Sequence, residues 1–563
     1  MQIVTRKPDD PAAIAEEYRR GVGYKKGMGV RGMYEQNRMN ERFFAGDQWY
    51  GAHCGNDRPL ARYNVIKRIG DYKMAVIGGT PVTVQYSAEG VPLTPGDRET
   101  VRLLRQAAAG DGYALPETEL PGKEEINLVM SALSDYFRVT AERVKFDDLK
   151  GQALRDAYQS GTGVLYTYWD AGVKTGLYAG GRGGAPIAGD VACEALDIEN
   201  VYFGDPGLDD VQKQPYILIA QRKSVAAVRD EAEKNGVSQA DIRRIRPGED
   251  GPTPLWGEPE DTRKAMVLTR FWKEPDAQGS PRVWAVRVCG DVVVRKKWCL
   301  GVRLYPLAKF SWERRRGCAY GDSEITYLIP NQIAINRMLT ANVWSAMMTG
   351  MPLMVVNGDV VPGEITNDPG QILRIYGSAE DADGAVRYIS PPVGSPFESL
   401  IDGMVRNTLS QAGANEAALG DMQPDNTSAI LALREAATLP LQPVQERFYS
   451  FCEDVARIWA EFWVMLYGDR QLKIEDENGT WFFPFQAQRY RDLLISTRVD
   501  VGGSVLWNET QTLQMLNNLL EKGVIDGIQY LRRLPKGAVA DREGLIRELQ
   551  GRQAAGQGEP SPQ

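Results

Sequence analysis

Histidine is almost missing from this chain: His53 is the single one in 563 residues. That excludes metal sites built from several histidines and makes histidine-based acid–base catalysis an unpromising expectation. His53 sits in the polar stretch AHCGNDRP and reads as a surface residue. Cysteine is scarce and scattered. Cys54, Cys193, Cys289, Cys299, Cys318 and Cys452 include no C-x-x-C pair, so no zinc motif is present. A chain of this length builds its own cores and needs no disulfide framework, so free thiols in a reducing cytoplasm are expected. No Gly-Lys-Ser/Thr phosphate loop occurs, which excludes a P-loop ATPase. No uncharged apolar run approaches the roughly 20 residues that span a bilayer, and no membrane partner is expected. The opening MQIVTRKPDD lacks the apolar centre of a signal peptide. A basic excess is missing as well. With 66 Lys+Arg against 74 Asp+Glu the net charge is −8, which argues against a protein that wraps DNA by displacing its counterions. It suits one that touches DNA lightly or lets it slide.

The size and the 58 Gly and 32 Pro imply several modules joined by many loops. Residues 1–35 read as a helix from Pro11 to Arg20 followed by a flexible basic arm carrying Lys25, Lys26 and Arg31. A helix with Val65, Ile69, Tyr72, Ala75 and Val76 on one face precedes an alternating strand Val82–Tyr86. The stretch from Ala88 to Glu125, rich in Gly, Pro and charge, reads as a long loop. Residues 126–160 read as helix, and strands follow in GVLYTYWD, VACEALDIENVYFGDP, PYILIAQRKS, AMVLTRFWKE and VWAVRVCGDVVVRKKW. The Gly-rich AGGRGGAPIAG reads as a hairpin loop. The fold class expected is α+β with largely antiparallel sheet. The triplet Arg314, Arg315, Arg316 is a solvated face or a contact with phosphate or a subunit.

From residue 323 onward the order of elements becomes specific. Ile325, Leu328, Ile329, Ile333, Ile335, Met338, Leu339, Val343, Ala346 and Met347 have helical spacing on more than one face, with Gln332, Asn336, Arg337 and Asn342 as the polar positions. Pro330 belongs near a first turn or at a kink. Residues 350–393 switch to short β-prone pieces separated by Asn357-Gly358 and Asp383-Gly384. A second helix carries Leu400, Ile401, Met404, Val405 and Leu409. The loop after it is small, polar and acidic, with Asn415, Glu416, Asp421, Gln423, Asp425 and Asn426. Thr427 or Ser428 would cap the next helix. There Leu441, Val444, Phe448, Phe451, Val455, Ile458, Phe462 and Met465 follow a 3-4-3-4 spacing, a sustained apolar seam begun or kinked by Pro440 and Pro443. The remainder reads as the strand TRVDVGGS, the helix NETQTLQMLNNLLEKG capped by Asn508 and Gly523, two shorter helices and a disordered tail.

This order, with the phrases YNVIKRIGDYKMAVIGGTPVTVQY, GDSEITYLIPNQIAINRMLTANVW, NTSAILALREA and VGGSVLWNETQTLQMLNNLLEKGVIDGIQYLRRLP, resembles the portal (head-to-tail connector) proteins of tailed bacteriophages. None of these pieces is a strict signature, and the resemblance rests on their order from about residue 36 to residue 550. It implies a portal-like fold: a flexible arm at 1–35, a mixed α/β wing at 36–320, a stem helix at 321–349 and a small β-rich clip at 350–393. A second stem helix at 394–411, a tunnel loop at 412–427, a long kinked wing helix at 428–470, a helical crown at 471–550 and a tail at 551–563 would follow.

The resemblance further implies a homo-oligomeric ring, typically a dodecamer, at one capsid vertex of the virion, assembled in the host cytoplasm. Double-stranded DNA would pass through its channel. Major capsid protein, terminase large subunit and head-tail adaptor would be its partners, with no cofactor and no enzymatic activity of its own. Gln332, Asn336, Arg337, Met338, Met404 and Val405 would then lie at stem or inter-subunit positions, and the six polar loop residues would face DNA. One departure stands out: residues 412–427 contain no Lys or Arg, which disfavours tight gripping of phosphate. Two other readings stay open. One is a different virion structural or adaptor protein. The other is a metal-dependent DNA-processing enzyme using Asp147-Asp148, Asp209-Asp210 or Glu124-Glu125.

Overall fold

The structure is a computed structural model that describes residues 9–50, 60–79, 82–88, 123–178, 186–248, 263–276, 279–350, 353–359, 361, 376, 378, 385–389, 397–414, 438–476, 479–490, 495–500, 516–523, 525–534 and 545. It is α+β, and every strand pairing it contains is antiparallel. In chain order come α1 (Pro11–Gly27), α2 (Met33–Ala45), α3 (Val65–Gly78), β1 (Thr83–Ala88), α4 (Lys123–Val144), α5 (Phe146–Ser160), β2 (Thr162–Tyr178), β3 (Pro186–Leu196), β4 (Val201–Phe203) and β5 (Tyr216–Ser224). Next are α6 (Val225–Lys234), α7 (Gln239–Arg244), β6 (Lys264–Pro275), β7 (Pro281–Cys289), β8 (Val292–Cys299), β9 (Leu307–Ser311) and α8 (Glu324–Gly350). The chain continues through β10 (Leu353–Val356), β11 (Val386–Ile389), α9 (Phe397–Gln411), α10 (Gln442–Leu466), β12 (Asp469–Asp476), β13 (Gly479–Gln486), β14 (Ile495–Asp500) and α11 (Gly527–Arg533).

Two sheets organise the body. One is a five-stranded meander in the order β4-β5-β6-β7-β8, and the other is the three-stranded β3-β2-β9. The helix expected over 126–160 is two helices. Lys145 breaks it by adopting a left-handed backbone at φ 54°, and its carbonyl accepts the amides of Asp148 and Leu149 to start α5. The strand expected at 163–170 runs on to Tyr178, pairing back onto β3. Sequence reading missed α6 and α7, short helices that cover one face of the meander with Val228, Ala232 and Ile242. Gly161 and Gly321 let two backbones touch: a side chain at either would strike the other's carbonyl oxygen. The amide of Gly321 donates to the Thr162 hydroxyl across this seam at 2.8 Å.

Helix α10 is the spine of the core. Its seam is buried at Leu441, Phe448, Phe451, Val455, Ile458, Phe462 and Met465, and half-buried at Val444. Burial goes beyond the seam, because Cys452, Ala456, Trp459, Ala460, Trp463 and Val464 are also enclosed. Edge-on rings lock it to α4 and α5: Trp459 meets Phe146 at 5.4 Å, and Trp463 meets Tyr136 at 5.3 Å. Glu461 is tolerated on this surface because Arg303 grips it with Nε and Nη2, each 2.9 Å from a carboxylate oxygen. The helix begins at Gln442, with Pro443 in its first turn where a missing N–H costs nothing, and it ends at Leu466. The extent expected, 428–470, is therefore too long at its carboxy end, where β12 starts at Asp469. Residues 428–437 lie outside the described residues.

Asp190 ties three elements beneath the spine. It accepts the Tyr467 hydroxyl at 2.6 Å and the Tyr136 hydroxyl at 2.9 Å, and pairs with Arg143 at 3.0 Å. The wing and crown boundary expected at residue 471 does not separate two bodies. Strand β14 pairs with β1 in the register Thr83↔Asp500 to Ala88↔Ile495, and Glu453 of α10 accepts the Val499 amide. Residues 501–515, 535–544 and 546–563, which carry Asn508, the last helix and the tail, lie outside the described residues. At Gly523 the backbone turns left-handed as a helix cap should.

The amino-terminal arm is also corrected. Helix α1 continues past Arg20 to Gly27 and lies on the meander, where Ile14 packs with Tyr202, Leu218 and Trp272, and Arg270 bridges to Glu17 at 2.8 Å. Lys25 is fully buried. Its ammonium donates to the carbonyls of Ile198, Glu199 and Val201 at 2.6, 3.0 and 2.7 Å and sits 3.9 Å over the Tyr202 ring.

Burial pulls Lys25 down to about 7, with Asp197 and Glu199 opposing. An unfolded lysine keeps its proton to about pH 10.4. Between those values the unfolded chain binds more protons, so stability should rise with pH. Burial pushes Glu199 and Asp156 up to about 7, each reinforced by Asp197. They act oppositely at lower pH, lowering stability as pH rises from the ordinary carboxylate range to 7. Lys25→Met should remove the alkaline rise. Urea midpoints of wild type and variant at about pH 7 and about pH 9.5 measure it. Equal pH dependence in both proteins would show that Lys25 does not carry this effect.

Candidate assembly surface

Helix α8 is long, 27 residues, and therefore about 40 Å from end to end. Pro330 lies inside it at the seventh position, beyond the first turn. The root of the helix is built into the body by polar side chains at a helical spacing of four. Gln332, Asn336 and Thr340 all point at residues 61–66, the lead-in to α3. Gln332 Oε1 accepts the amides of Val65 and Ile66 at 3.0 and 3.3 Å, while Asn64 accepts the amide of Lys67 at 2.9 Å. Three of the orphan amides at the start of α3 are thus satisfied by two side chains. Gln332 Nε2 donates to the Tyr63 carbonyl at 2.6 Å. Asn336 accepts the Tyr63 amide at 3.1 Å and donates to Gln48 at 2.8 Å, and the Thr340 hydroxyl accepts the Ala61 amide at 3.1 Å. Below them Lys73 pairs with Glu324 at 2.5 Å, and Trp312 donates to the same carboxylate at 3.2 Å.

The positions expected between subunits therefore divide. Gln332 and Asn336, at 1% and 0% exposure, are spent within their own chain and have nothing left for a neighbouring copy. Arg337 is exposed, Met338 is half-buried, and Met404 and Val405 are half-buried against the main core. Replacing Gln332 by Leu fills the same space and strands the Ile66 amide, while the Val65 amide and the Tyr63 carbonyl lose one partner each and keep their mutual bond at 3.0 Å. It should lower stability by about 1–3 kcal/mol, the cost of one buried donor left unpaired. A urea midpoint equal to that of wild type would contradict the clamp.

Beyond the clamp, burial falls away. Ala341, Ser345, Ala346 and Met347 are exposed, the last at 49%. Helix α9 returns antiparallel along α8, as the contact of Asn331 near the root with Gln411 at the end of α9 requires. Its buried residues, Thr408 and Leu409, lie near the body, whereas Glu398, Ser399 and Leu400 at the far end are exposed. Between the two far ends lies the antiparallel pair β10–β11, Leu353↔Ile389 to Val356↔Val386. The result is a helical hairpin rooted by hydrogen bonds, bearing a small sheet at its tip and exposing Tyr327, Met347, Val355 and Leu400. Only the pair β10–β11 and a few single residues of the segment 350–393 are described. All six polar loop residues, Asn415, Glu416, Asp421, Gln423, Asp425 and Asn426, lie outside the described residues.

Three of the carboxylates considered as metal ligands have other uses. Asp147 pairs with Lys150 at 2.5 Å, Asp209 with Lys309 at 2.5 Å, and Asp210 accepts the Gln212 amide at 2.8 Å. Among the described residues no group of three or more His, Cys, Asp or Glu side chains could hold a metal ion. In the arginine triplet, Arg315 pairs with Asp322 and Arg314 approaches Asp209 at 3.5 Å. No described helix is long and apolar enough to cross a membrane.

Sequence reasoning missed the clamp partners Ala61, Tyr63, Val65 and Ile66, although the polar spacing 332-336-340 along an otherwise apolar helix was visible. No family model matches the chain, and no curated protein matches it. Among solved structures it is similar to a chain of the virion of a native gene transfer agent particle. That match has a TM-score of 0.34 and 11% identity, and covers 92% of this chain and 99% of that one. A likeness that weak carries no argument about this chain.

Proposed function

We propose that this chain is the subunit of a phage portal: a ring at one capsid vertex whose axial channel passes double-stranded DNA. The observation that supports it best is the rooted helical hairpin α8–α9. Its body end is saturated with intrachain hydrogen bonds. Its far end leaves Met347 and Leu400 half exposed. Apolar side chains on an ordered, protruding element are covered economically when identical copies pack side by side. The same arrangement puts α8 and α9 around an axis as a stem, with β10–β11 at the narrow end as a clip. The order of elements in the sequence supports the same reading.

In this proposal the ring does no chemistry. Terminase large subunit docks on it and hydrolyses ATP, a head-tail adaptor docks on it as well, and major capsid protein surrounds it. The acidic net charge and the absence of Lys and Arg from residues 412–427 favour sliding of DNA over retention.

Electron microscopy of the purified protein tests the reading. A ring of about twelve subunits with an axial hole wider than a DNA duplex, about 20 Å, is expected. An assembled particle without a channel would point instead to another virion component. Deleting Asn415–Gln423 should leave rings intact and reduce the DNA they retain or package. Normal packaging by that deletion would remove the tunnel-loop assignment.

A further inference from the structure

Helix α8 carries two charged residues in 27, Glu324 and Arg337, and only one of them is free. Glu324 pairs with Lys73 at 2.5 Å, whereas Arg337 is exposed and has no hydrogen bond or ion pair among the described residues. Helix α9 presents the opposite charge. Glu398 and Asp402 are exposed and equally without a partner among the described residues. Arg406, one turn nearer the body, already has an interaction of its own.

Within one chain these ions turn away from each other. Asp402 stands nine residues before Gln411, which is two and a half turns, so it lies on the side of α9 opposite the one that meets Asn331 of α8. Arg337 lies about a third of a turn from Asn331 and about as far from Gln332, which meets the body. The hairpin thus has a cationic flank along α8 and an acidic flank along α9. Their heights are close. Counted toward the tip from the contact of Asn331 with Gln411, Arg337 lies at about 9 Å and Asp402 at about 14 Å.

Exposed ions are well solvated and are no reason to assemble. What they decide is which flanks can meet once apolar contacts bring copies together. Copies standing side by side around an axis keep their tips at the same end. Packing α8 on α8 then sets Arg337 against Arg337, and packing α9 on α9 sets Glu398 and Asp402 against their own counterparts. Packing α8 on α9 joins opposite charges, and a contact between two different faces repeats from copy to copy as a ring requires. We infer that Arg337 of one copy pairs with Asp402 of the next, with Glu398 as a further acid beside it. The inference rests on the portal reading, in which copies pack along the hairpin, and adds the ion pair that fixes their orientation.

Sedimentation of two charge-reversed variants of the full chain tests the pair. Arg337→Glu and Asp402→Arg should each unfold in urea like wild type, because both positions are exposed. Each alone should need an at least about tenfold higher concentration to assemble, since like charges then face one another. An equimolar mixture of the two variants should recover assembly, because in an alternating ring every interface again joins opposite charges. One chain carrying both substitutions should recover it as well. Single variants that assemble at the wild-type concentration would place Arg337 in solvent or against a different protein, and would leave the portal reading standing. Assembly lost in the single variants and not recovered in the mixture or the doubly substituted chain also overturns the pair. A wild-type chain that stays monomeric removes the portal reading and the pair together. Wild-type assemblies without a channel count against the portal reading alone, and the variants still decide the pair.

Discussion

Replacing Val455 or Phe462 by Asp should leave a chain that does not fold. Both side chains lie inside α10, at 1% and 2% exposure, and the helix is enclosed on nearly every side between residues 455 and 465. Neighbouring turns bring Phe451, Trp459 and Trp463, none of which offers a cation to a new carboxylate. Arg303, which reaches this helix next to Phe462, is already committed to Glu461 by three hydrogen bonds. An uncompensated buried charge costs about 3–5 kcal/mol or more, against a total stability of about 5–15 kcal/mol for a domain. The carboxylate escapes only by staying protonated, which still leaves a polar group without partners. Soluble expression and a cooperative urea transition measure the outcome. A soluble variant unfolding at the wild-type midpoint would show that α10 is not the spine of this fold. Trp459→Ala makes a milder comparison. It removes a fully buried ring that donates to Thr167 at 3.2 Å, and should cost about 3–5 kcal/mol without introducing charge.

The second large effect concerns assembly alone. Met347→Asp combined with Leu400→Asp alters two side chains that are 49% and 51% exposed in the single chain. Exposed positions of this kind change monomer stability by only about 0.5 kcal/mol each. If copies pack along the α8–α9 hairpin, each interface loses two apolar contacts, worth about 1.5–3 kcal/mol apiece when fully buried, and gains two desolvated charges. A loss of about 3 kcal/mol per interface is about a hundredfold in association. The double variant should therefore unfold like wild type yet sediment as a monomer. Wild-type rings from the double variant would place the subunit interface elsewhere. A destabilised monomer would mean that the far end of the hairpin is packed in its own chain.

Several parts of the fold were legible in the chain because their physics is local. The seam of α10 shows in the sequence because a 3-4 spacing of large apolar residues has one use in a helix, which is burial along a stripe. The strands of the meander show because short runs rich in β-branched and aromatic residues, as in PYILIAQRKS and AMVLTRFWKE, favour the extended backbone. The strands β10 and β11 follow a change from helical to β-prone spacing, which again needs no distant information, although their pairing does.

Other parts depend on partners far away in sequence. Residues 21–27, GVGYKKG, contain three glycines and two lysines and look unstructured, yet they complete α1, because Lys25 reaches carbonyls at 198–201 that no local pattern announces. Helix α6 is only ten residues long and half of them are charged, so its narrow apolar stripe of Val225, Val228 and Ala232 is recognisable only once the sheet beneath it exists.

The candidate site divides in the same way. The sequence by itself determined that a long apolar helix, a β-rich piece and a returning helix follow one another near residues 324–411, since periodicity and turn residues are encoded within a few positions. Only the tertiary structure decided which polar residues on α8 face inward. Gln332 and Asn336 carry amides that could serve a neighbour or their own chain. What settles the matter is the row of unsatisfied backbone amides at the start of α3, some 270 residues earlier, because a buried amide without a partner costs more than almost any contact on the surface returns.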